Sequence, residues 1–425
     1  MSVPPDPPSA PVAAVVPDGV GGKVRHTFAA LGHRNYRLWF AGQLVSLFGS
    51  WMQSTALGFL VYELTRSPAY LGYVGFATGV PAWLFMIYAG VVADRMPRRT
   101  LLILTQSAMM ILAFGLAALT FLRVIQPWQI ILFAFAFGTA NAFDAPARQA
   151  FVTEMVSPED LTNAIALNAT MFNLGIALGP AVSGITYAFF GPGWCFAING
   201  LSFIAIIVAL RLMALAGPER APARRNPWGE LKEGFRYASR HAVIRTIILL
   251  IAVSGLFGNA FLTLIPAWAV KILHGNAATN GWLHSARGVG ALVSALLIAS
   301  LGRFQFKGKL LTAGTFAVPV FLVGFSFTRW LPLSLLWMVG AGGAIVVVMN
   351  LANALVQTHV EERLRGRVMG IYTFAFFGLM PLGALWSGAL AEWLGEPASV
   401  AAGALATLAF AAAAWIFAPG LRRLP

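Results

Sequence analysis

What most constrains this chain is a succession of long apolar stretches separated by short polar ones. Each is close to the roughly 20 residues that an α-helix needs to cross the hydrocarbon core of a bilayer. Twelve can be delimited. The first half holds Leu38–Tyr62, Leu71–Val92, Leu101–Leu122, Trp128–Pro146, Leu161–Phe190 and Trp194–Met213. The second half holds Thr246–Val270, Gly281–Leu301, Leu310–Phe327, Leu333–Leu355, Val368–Leu394 and Val400–Phe417. In lipid every backbone polar group must be satisfied internally, so spanning segments are helices or closed barrels. These runs are too long for barrel strands and do not alternate apolar with polar residues. The expectation is an all-α membrane protein of twelve transmembrane helices. Composition agrees, with 58% apolar and 10% charged residues, against roughly 25% charged in a soluble domain.

A net charge of +14 could suit a nucleic-acid binder, but its distribution argues against one. Of the 29 Lys and Arg, 24 fall on one side of the ladder of spans. Arg66, Arg123, Lys271 and Arg329 fall on the other side, and Arg287 lies within a span. Cytoplasmic loops carry such an excess. Both termini are therefore expected in the cytoplasm of a bacterial cell, with the chain multi-pass in its inner membrane. An even number of spans is consistent with that. The single cysteine, Cys195, allows no internal disulfide and suggests no thiol metal site. The six histidines are scattered, and no metal-ligand cluster, nucleophile–base pair or phosphate loop is readable. Neither an enzyme nor a bound cofactor is expected, and a sensor would normally add a soluble signalling domain.

The two halves follow one plan. Through the fourth span they align at a separation of 209 residues, so that Leu47-Phe-Gly-Ser50 matches Leu256-Phe-Gly-Asn259 and Gly72 matches Gly281. Asn141, Asp144 and Arg148 then match Asn350, Asn353 and Gln357. Further on the separation is 204, and Leu178–Gly184 matches Leu382–Gly388. Ordered matches of this kind mark an internal repeat. Between the halves Trp228, Leu231, Phe235 and Ala238 recur at helical spacing, with Lys232, Arg236 and Arg240 on other faces. That pattern suits an amphipathic helix at the membrane surface. The expected organisation is a disordered N-terminal tail (1–33), a six-helix bundle (34–214), a cytoplasmic linker with the amphipathic helix (215–243), a second six-helix bundle (244–418) and a short tail (419–425). Two facing bundles with a cavity at mid-membrane are the layout of a transporter.

Specific residues sharpen this. The loop Gly90-Val-Val-Ala-Asp94-Arg95-Met-Pro-Arg98-Arg99 resembles the signature between the second and third helices of the major facilitator superfamily. The run Gly175-Ile-Ala-Leu-Gly179-Pro180-Ala-Val-Ser183-Gly184 resembles the Gly-x-x-x-Gly-Pro signature of its antiporters. The stretches Arg34–Gln43, Leu47–Gln53 and Ala145–Gln149 look like the branch of enterobactin and drug exporters. The resemblance covers roughly residues 30 to 418. It departs from the antiporter pattern at Ser183-Gly184, where two glycines are common, and the second half has Ala384 in place of the proline.

The resemblance implies a cytoplasmic gate built from Gly90, Asp94, Arg95, Arg98, Arg99, Asp144 and Arg148. Asp94 would dock near Arg365–Gly370 of the eleventh span, and Asp144 would pair with Arg95 or Arg98. A static Asp144–Arg148 pair is the plainer alternative. Gly175, Gly179, Pro180 and Gly184 would form the antiporter-like motif, with the small residues clearing a packing face. In this fold the first, fourth, seventh and tenth spans line the cavity. Gln43, Ser50, Gln53, Asn141, Asn259, Thr263, Asn350 and Asn353 are the candidates there, with interhelical hydrogen bonding as the competing use. Arg287 and His284, one turn apart in the eighth span, could bind an anion or snorkel to the headgroups.

The resulting expectation is a monomeric, proton-coupled exporter of a small amphipathic molecule, a drug or siderophore. The alternative is an importer of an organic anion using Arg287. The proton gradient would supply the energy, although no acid sits clearly at mid-membrane.

Overall fold

The computed structural model describes residues 28–214, 227–301 and 305–424, without the side chains of residues 86, 87, 94, 227, 228, 230 and 231. Much of the expected N-terminal tail and most of the linker loop therefore lie outside the described residues. Those described fold into helices and no strand. They are α1 (Arg34–Thr65), α2 (Pro68–Arg95), α3 (Arg98–Phe121), α4 (Pro127–Phe151), α5 (Leu161–Phe190), α6 (Pro192–Leu212) and α7 (Pro227–Arg240). There follow α8 (Ala242–Ile272), α9 (Ala277–Ser300), α10 (Lys307–Phe327), α11 (Leu331–His359), α12 (Glu362–Leu394) and α13 (Glu396–Phe417). Eleven of these, all but α2 and α7, are long and apolar enough to cross a membrane among the described residues. α2 is itself 28 residues long. The chain is a multi-pass membrane protein.

Local chemistry sets the helix starts. Pro68, Pro127 and Pro192 stand at the first turns of α2, α4 and α6, where a missing N–H costs nothing because the first amides of a helix have no internal acceptor. The tight turns α5–α6 and α12–α13 pass through Gly191 (φ 86°) and Gly395 (φ 84°). A side chain would strain both. These glycines are 204 residues apart, the separation at which the sequence repeats.

The repeat is visible in bonds as well as turns. Cys195 Sγ lies 3.7 Å from the Ser183 carbonyl, and Ser399 Oγ donates to the Ser387 carbonyl at 2.9 Å. Both partners shift by 204. The halves meet along two seams. At Gly72 of α2, an added Cβ would come within 2.8 Å of the Ala384 carbonyl, and at Gly388 of α12 within 2.7 Å of the Pro68 carbonyl. The same relation holds at Gly281 of α9, 2.4 Å from the Pro180 carbonyl, and at Gly184 of α5, 2.6 Å from the Ala277 carbonyl. The first seam maps on the second through the sequence repeat. Only residues without side chains let helices touch by their backbones in this way.

Both seams lie toward the end of the molecule that carries the α1–α2, α8–α9 and α12–α13 turns. Toward the opposite, arginine-rich end no described glycine makes such a contact between the halves. A Cβ at Gly90, Gly366 or Gly370 would meet nothing within 4 Å.

The halves differ internally. α1 and α5 are continuous, α5 even through Pro180. Their counterparts are broken. α8 contains π turns at Ser254–Gly258 and Trp268–Ile272 with a 3-10 stretch between them, and α12 contains one at Phe374–Gly378. The linker helix α7 is fastened to α12. Glu233 meets Arg363 at 3.3 Å and also pairs with Arg367. Of its expected apolar stripe, Ala238 is buried and Phe235 is 66% exposed, while Trp228 and Leu231 have side chains outside the described set.

Candidate functional site

The arginine-rich end carries the expected gate. Arg98 opens α3 and donates to Glu154 Oε1 at 2.7 Å and to the Ala150 carbonyl at 3.3 Å. Arg99 donates to the Arg211 carbonyl at 2.7 Å, and Arg95 is exposed. Asp144 of α4 is 1% exposed. It accepts from Thr105 Oγ1 and Gln106 Nε2 of α3, each at 2.9 Å. Arg148 Nε stands 3.5 Å from its second oxygen.

In this conformation the plainer alternative, the Asp144–Arg148 pair, is the one present. Asp144 does not pair with Arg95 or Arg98, because both its oxygens are taken by α3 and by Arg148 one turn along its own helix. Arg98 is engaged by Glu154 instead. A buried carboxylate needs such a full set of partners. The side chain of Asp94 lies outside the described residues. In the region expected to receive it, Arg367 pairs with Glu233 of α7.

The antiporter-like run serves two neighbours. A Cβ at Gly175 would come within 2.9 Å of Trp51, and one at Gly179 within 2.7 Å of it. This face therefore seats the Trp51 indole of α1. Just beyond, Pro180 and Gly184 form the seam with α9. The motif ties α5 to its own half and to the other half at once.

The polar candidates divide. Gln53 is buried and accepts from Asn199 Nδ2 at 2.8 Å, so it joins α1 to α6. Asn259 is buried and its backbone and side-chain amides both donate to the Ser254 carbonyl, at 2.9 and 3.1 Å. It closes the π turn of α8. Gln43 is 3% exposed with its side-chain oxygen unpartnered. Ser50 donates to the Ser46 carbonyl at 2.9 Å. Asn141 and Asn350, matched by the repeat, are both exposed, and Thr263 and Asn353 are half-buried. His284 and Arg287 are half-buried on α9, and Arg287 Nε is a buried donor without an acceptor. Among the described residues no group of His, Cys, Asp or Glu is placed to hold a metal ion.

Residues 25–421 match the transmembrane secretion effector family. The chain belongs to this family of the major facilitator superfamily. The staphyloferrin A transporter of Staphylococcus aureus (strain NCTC 8325 / PS 47) is 23% identical over 84% of this chain and 90% of that protein. The multidrug efflux pump Tap of Mycolicibacterium fortuitum is 25% identical over 88% and 93%. The enterobactin exporter EntS of Citrobacter koseri (strain ATCC BAA-895 / CDC 4225-83 / SGSC4696) is 27% identical over 80% and 81%. Among solved structures, a POT family transporter in complex with 5-aminolevulinic acid superposes with a TM-score of 0.74 at 11% identity, covering 92% of this chain and 97% of that one. Family and fold are those of transporters.

Some positions escaped the sequence. Glu233 is an acid within a basic linker, which was the available signal. Glu392 accepts from Ser67 Oγ at 2.7 Å and from the Ala69 amide at 3.2 Å, across the two halves. Glu396 is fully buried at the start of α13 and is met by Lys271 Nζ at 3.2 Å. No spacing in the sequence announces either contact.

Proposed function

We propose that this transporter is a proton-coupled exporter that carries a small amphipathic molecule out of the cell by alternating access. The observation that carries the reading is the one-sided closure of the molecule. Two glycine seams shut one end, and no described glycine makes such a contact between the halves at the other. The excess of Lys and Arg at that other end supports a cytoplasmic location for it, with both termini on that side of a bacterial inner membrane. The conformation is then inward-facing, ready to load from the cytoplasm. Relatives named as an enterobactin exporter and a multidrug efflux pump support outward transport of a drug or siderophore. The antiporter-like run Gly175–Gly184 supports exchange against protons. A monomer suffices, since one chain supplies both halves of the passage.

Closing the cytoplasmic end would bring the Gly90 loop toward the start of α12. Asp144 is poised beneath that loop. Its three partners fix the α3–α4 contact that the loop must move with, so this carboxylate is assigned a gating role rather than a binding one.

A growth-inhibition panel in a host stripped of its own exporters tests the reading. Dyes, antibiotics and catecholate siderophores are challenged with wild type, Asp144→Asn and empty vector. Protection by wild type alone, abolished by a protonophore, is the expected result. Asp144→Asn should insert normally and lose transport, and full protection by it would remove the gating role. The importer reading gains from the unpartnered Arg287, which favours an anion without fixing direction. Labelled anion uptake into whole cells, with no protection in the panel, would turn the conclusion toward import.

A further inference from the structure

The middle of α9 carries a polar face that its own half does not satisfy. Asn280, His284, Arg287 and Ala291 are spaced by four, three and four residues and so share one side of the helix. The opposite side presents Trp282, Val289, Val293, Leu296 and Leu297, all exposed, as a lipid-facing surface does. Between these sides, α9 is gripped on both flanks. Gly281 and Gly288 lie against Pro180 and Ala177 of α5, and Gly290 lies against Val339 of α11. Gly342 of α11 leaves room for the Arg287 backbone and Cγ, which a Cβ there would approach to 2.1 and 2.9 Å. The polar face therefore looks into the space enclosed by α5 of one half and α11 of the other, away from lipid.

Depth matters as much as direction. Arg287 stands ten residues into a 24-residue helix, about 15 Å from its start at roughly 1.5 Å per residue. Snorkelling to the nearer headgroups is a poor option from there. Its Nε has no acceptor, and no carboxylate among the described residues lies within ion-pair distance of its guanidinium. One turn nearer the closed end His284 is half-buried, and beyond it Asn280, 1% exposed, leaves its side-chain oxygen unpartnered. A charge in the membrane interior is costly unless it is paired. Asp144 shows how this chain treats a charge that is meant to stay put, with three partners. Arg287 has been given none.

We propose that Asn280, His284 and Arg287 form the anion-recognising part of the transport site, so that the substrate is an amphipathic anion. The inference deepens the exporter reading and rests on it. The planar guanidinium matches a carboxylate or a comparable pair of anionic oxygens. The free Asn280 oxygen accepts from a hydroxyl or amide N–H on the same molecule. Cationic dyes gain nothing from this face and are repelled by it. Apolar parts of the ligand lie along the surrounding spans.

The test uses the full-length protein in lipid nanodiscs with five probes. Salicylate, fluorescein and citrate are the anions, salicylamide is the neutral partner of salicylate, and ethidium is the cation. Binding is read by tryptophan fluorescence for wild type, Arg287→Gln and Arg287→Lys, each checked for a single gel-filtration peak. At least one anion should bind wild type, salicylamide should bind more weakly than salicylate, and Arg287→Gln should lose about tenfold or more in affinity, the worth of one charge-assisted bond. Arg287→Lys, which keeps the charge but loses the planar pair of donors, should fall between wild type and Arg287→Gln, which separates charge from geometry. Stronger binding of ethidium than of every anion, or identical behaviour of wild type and Arg287→Gln toward all three anions (no binding by either included), overturns the proposal. The same variants in the growth panel keep the two readings apart. If Arg287→Gln protects against the same compounds as wild type, the anion site falls and the exporter stands. Failure of wild type to protect at all removes the exporter instead.

Discussion

The two seams that join the halves are related by the sequence repeat, yet they are held by different forces. Both bring glycine backbones together near the closed end. At the α5–α9 seam, helix α9 caps itself, with Asn276 accepting from the amides of Ala278 and Thr279 at 3.0 and 3.4 Å. At the α2–α12 seam the matching residue, Ser67, makes no cap for its own helix. The cap is lent by Glu392 from the other half. Deeper in the same seam Trp83 Nε1 donates to the Gly378 carbonyl at 2.8 Å. The α5–α9 seam is therefore a surface fit of small residues, and the α2–α12 seam is a fit with directional bonds at two depths. A fit can pivot without losing a specific partner. Bonds across a seam must break when it opens, and the free ends then need new partners.

Substitutions can break or sharpen that contrast. The largest effect belongs to shape. Gly281→Val and Gly388→Val each force side-chain atoms into a neighbouring carbonyl, and overpacking of this kind costs about 1–3 kcal/mol or more. Both should reduce growth protection to the vector level, and gel filtration of tagged protein will tell whether folding goes with it. Equal loss from the two would establish that both seams depend on backbone contact.

Next is Glu392→Ala. It removes the borrowed cap at the α2–α12 seam only. A cysteine at Ala384, buried in this seam against Gly72 and Gly75, should react with a membrane-impermeant maleimide about fivefold faster in that background, the equivalent of roughly 1 kcal/mol. An unchanged rate would mean that the lent cap does not hold the closed end shut. Asn276→Ala should lower thermal stability by about 1 kcal/mol, the usual worth of a helix cap, while leaving labelling at position 384 as it was. The smallest effect is expected for Cys195→Ser. The other half already uses Ser399 for the same bond to a matching carbonyl, so transport and melting temperature should stay within error of wild type. Marked destabilisation would show that the matched positions are not interchangeable.

Much of the architecture was legible before any coordinates. Hydropathy marks helical spans because lipid leaves the backbone no other way to satisfy itself. The repeat was legible because both halves need glycine at the same seam positions. The site was less so. Gln53 and Asn259 carry polar groups that look available for a ligand in sequence, and the fold spends them on Asn199 and on a π turn. For Asp144 two pairings were open in sequence; the one with its helix neighbour Arg148 is present, joined by two α3 side chains that no spacing announced. The π turns of α8 and α12 had no readable signal. Two of the breaks touch, with Gly255 of α8 packed beneath the Phe376 carbonyl of α12.

By itself the sequence determined a membrane protein of long helices, its twofold plan, the arginine-rich face and the residues costly enough to matter. These follow from transfer energies and sterics that act on each segment alone. Only the tertiary structure decided which polar groups are spent and which remain free, and which seam is bonded rather than merely fitted. Ser67 and Glu392 are 325 residues apart in the chain. Hydrogen bonds act over about 3 Å, so such pairings exist only once packing has brought distant helices together.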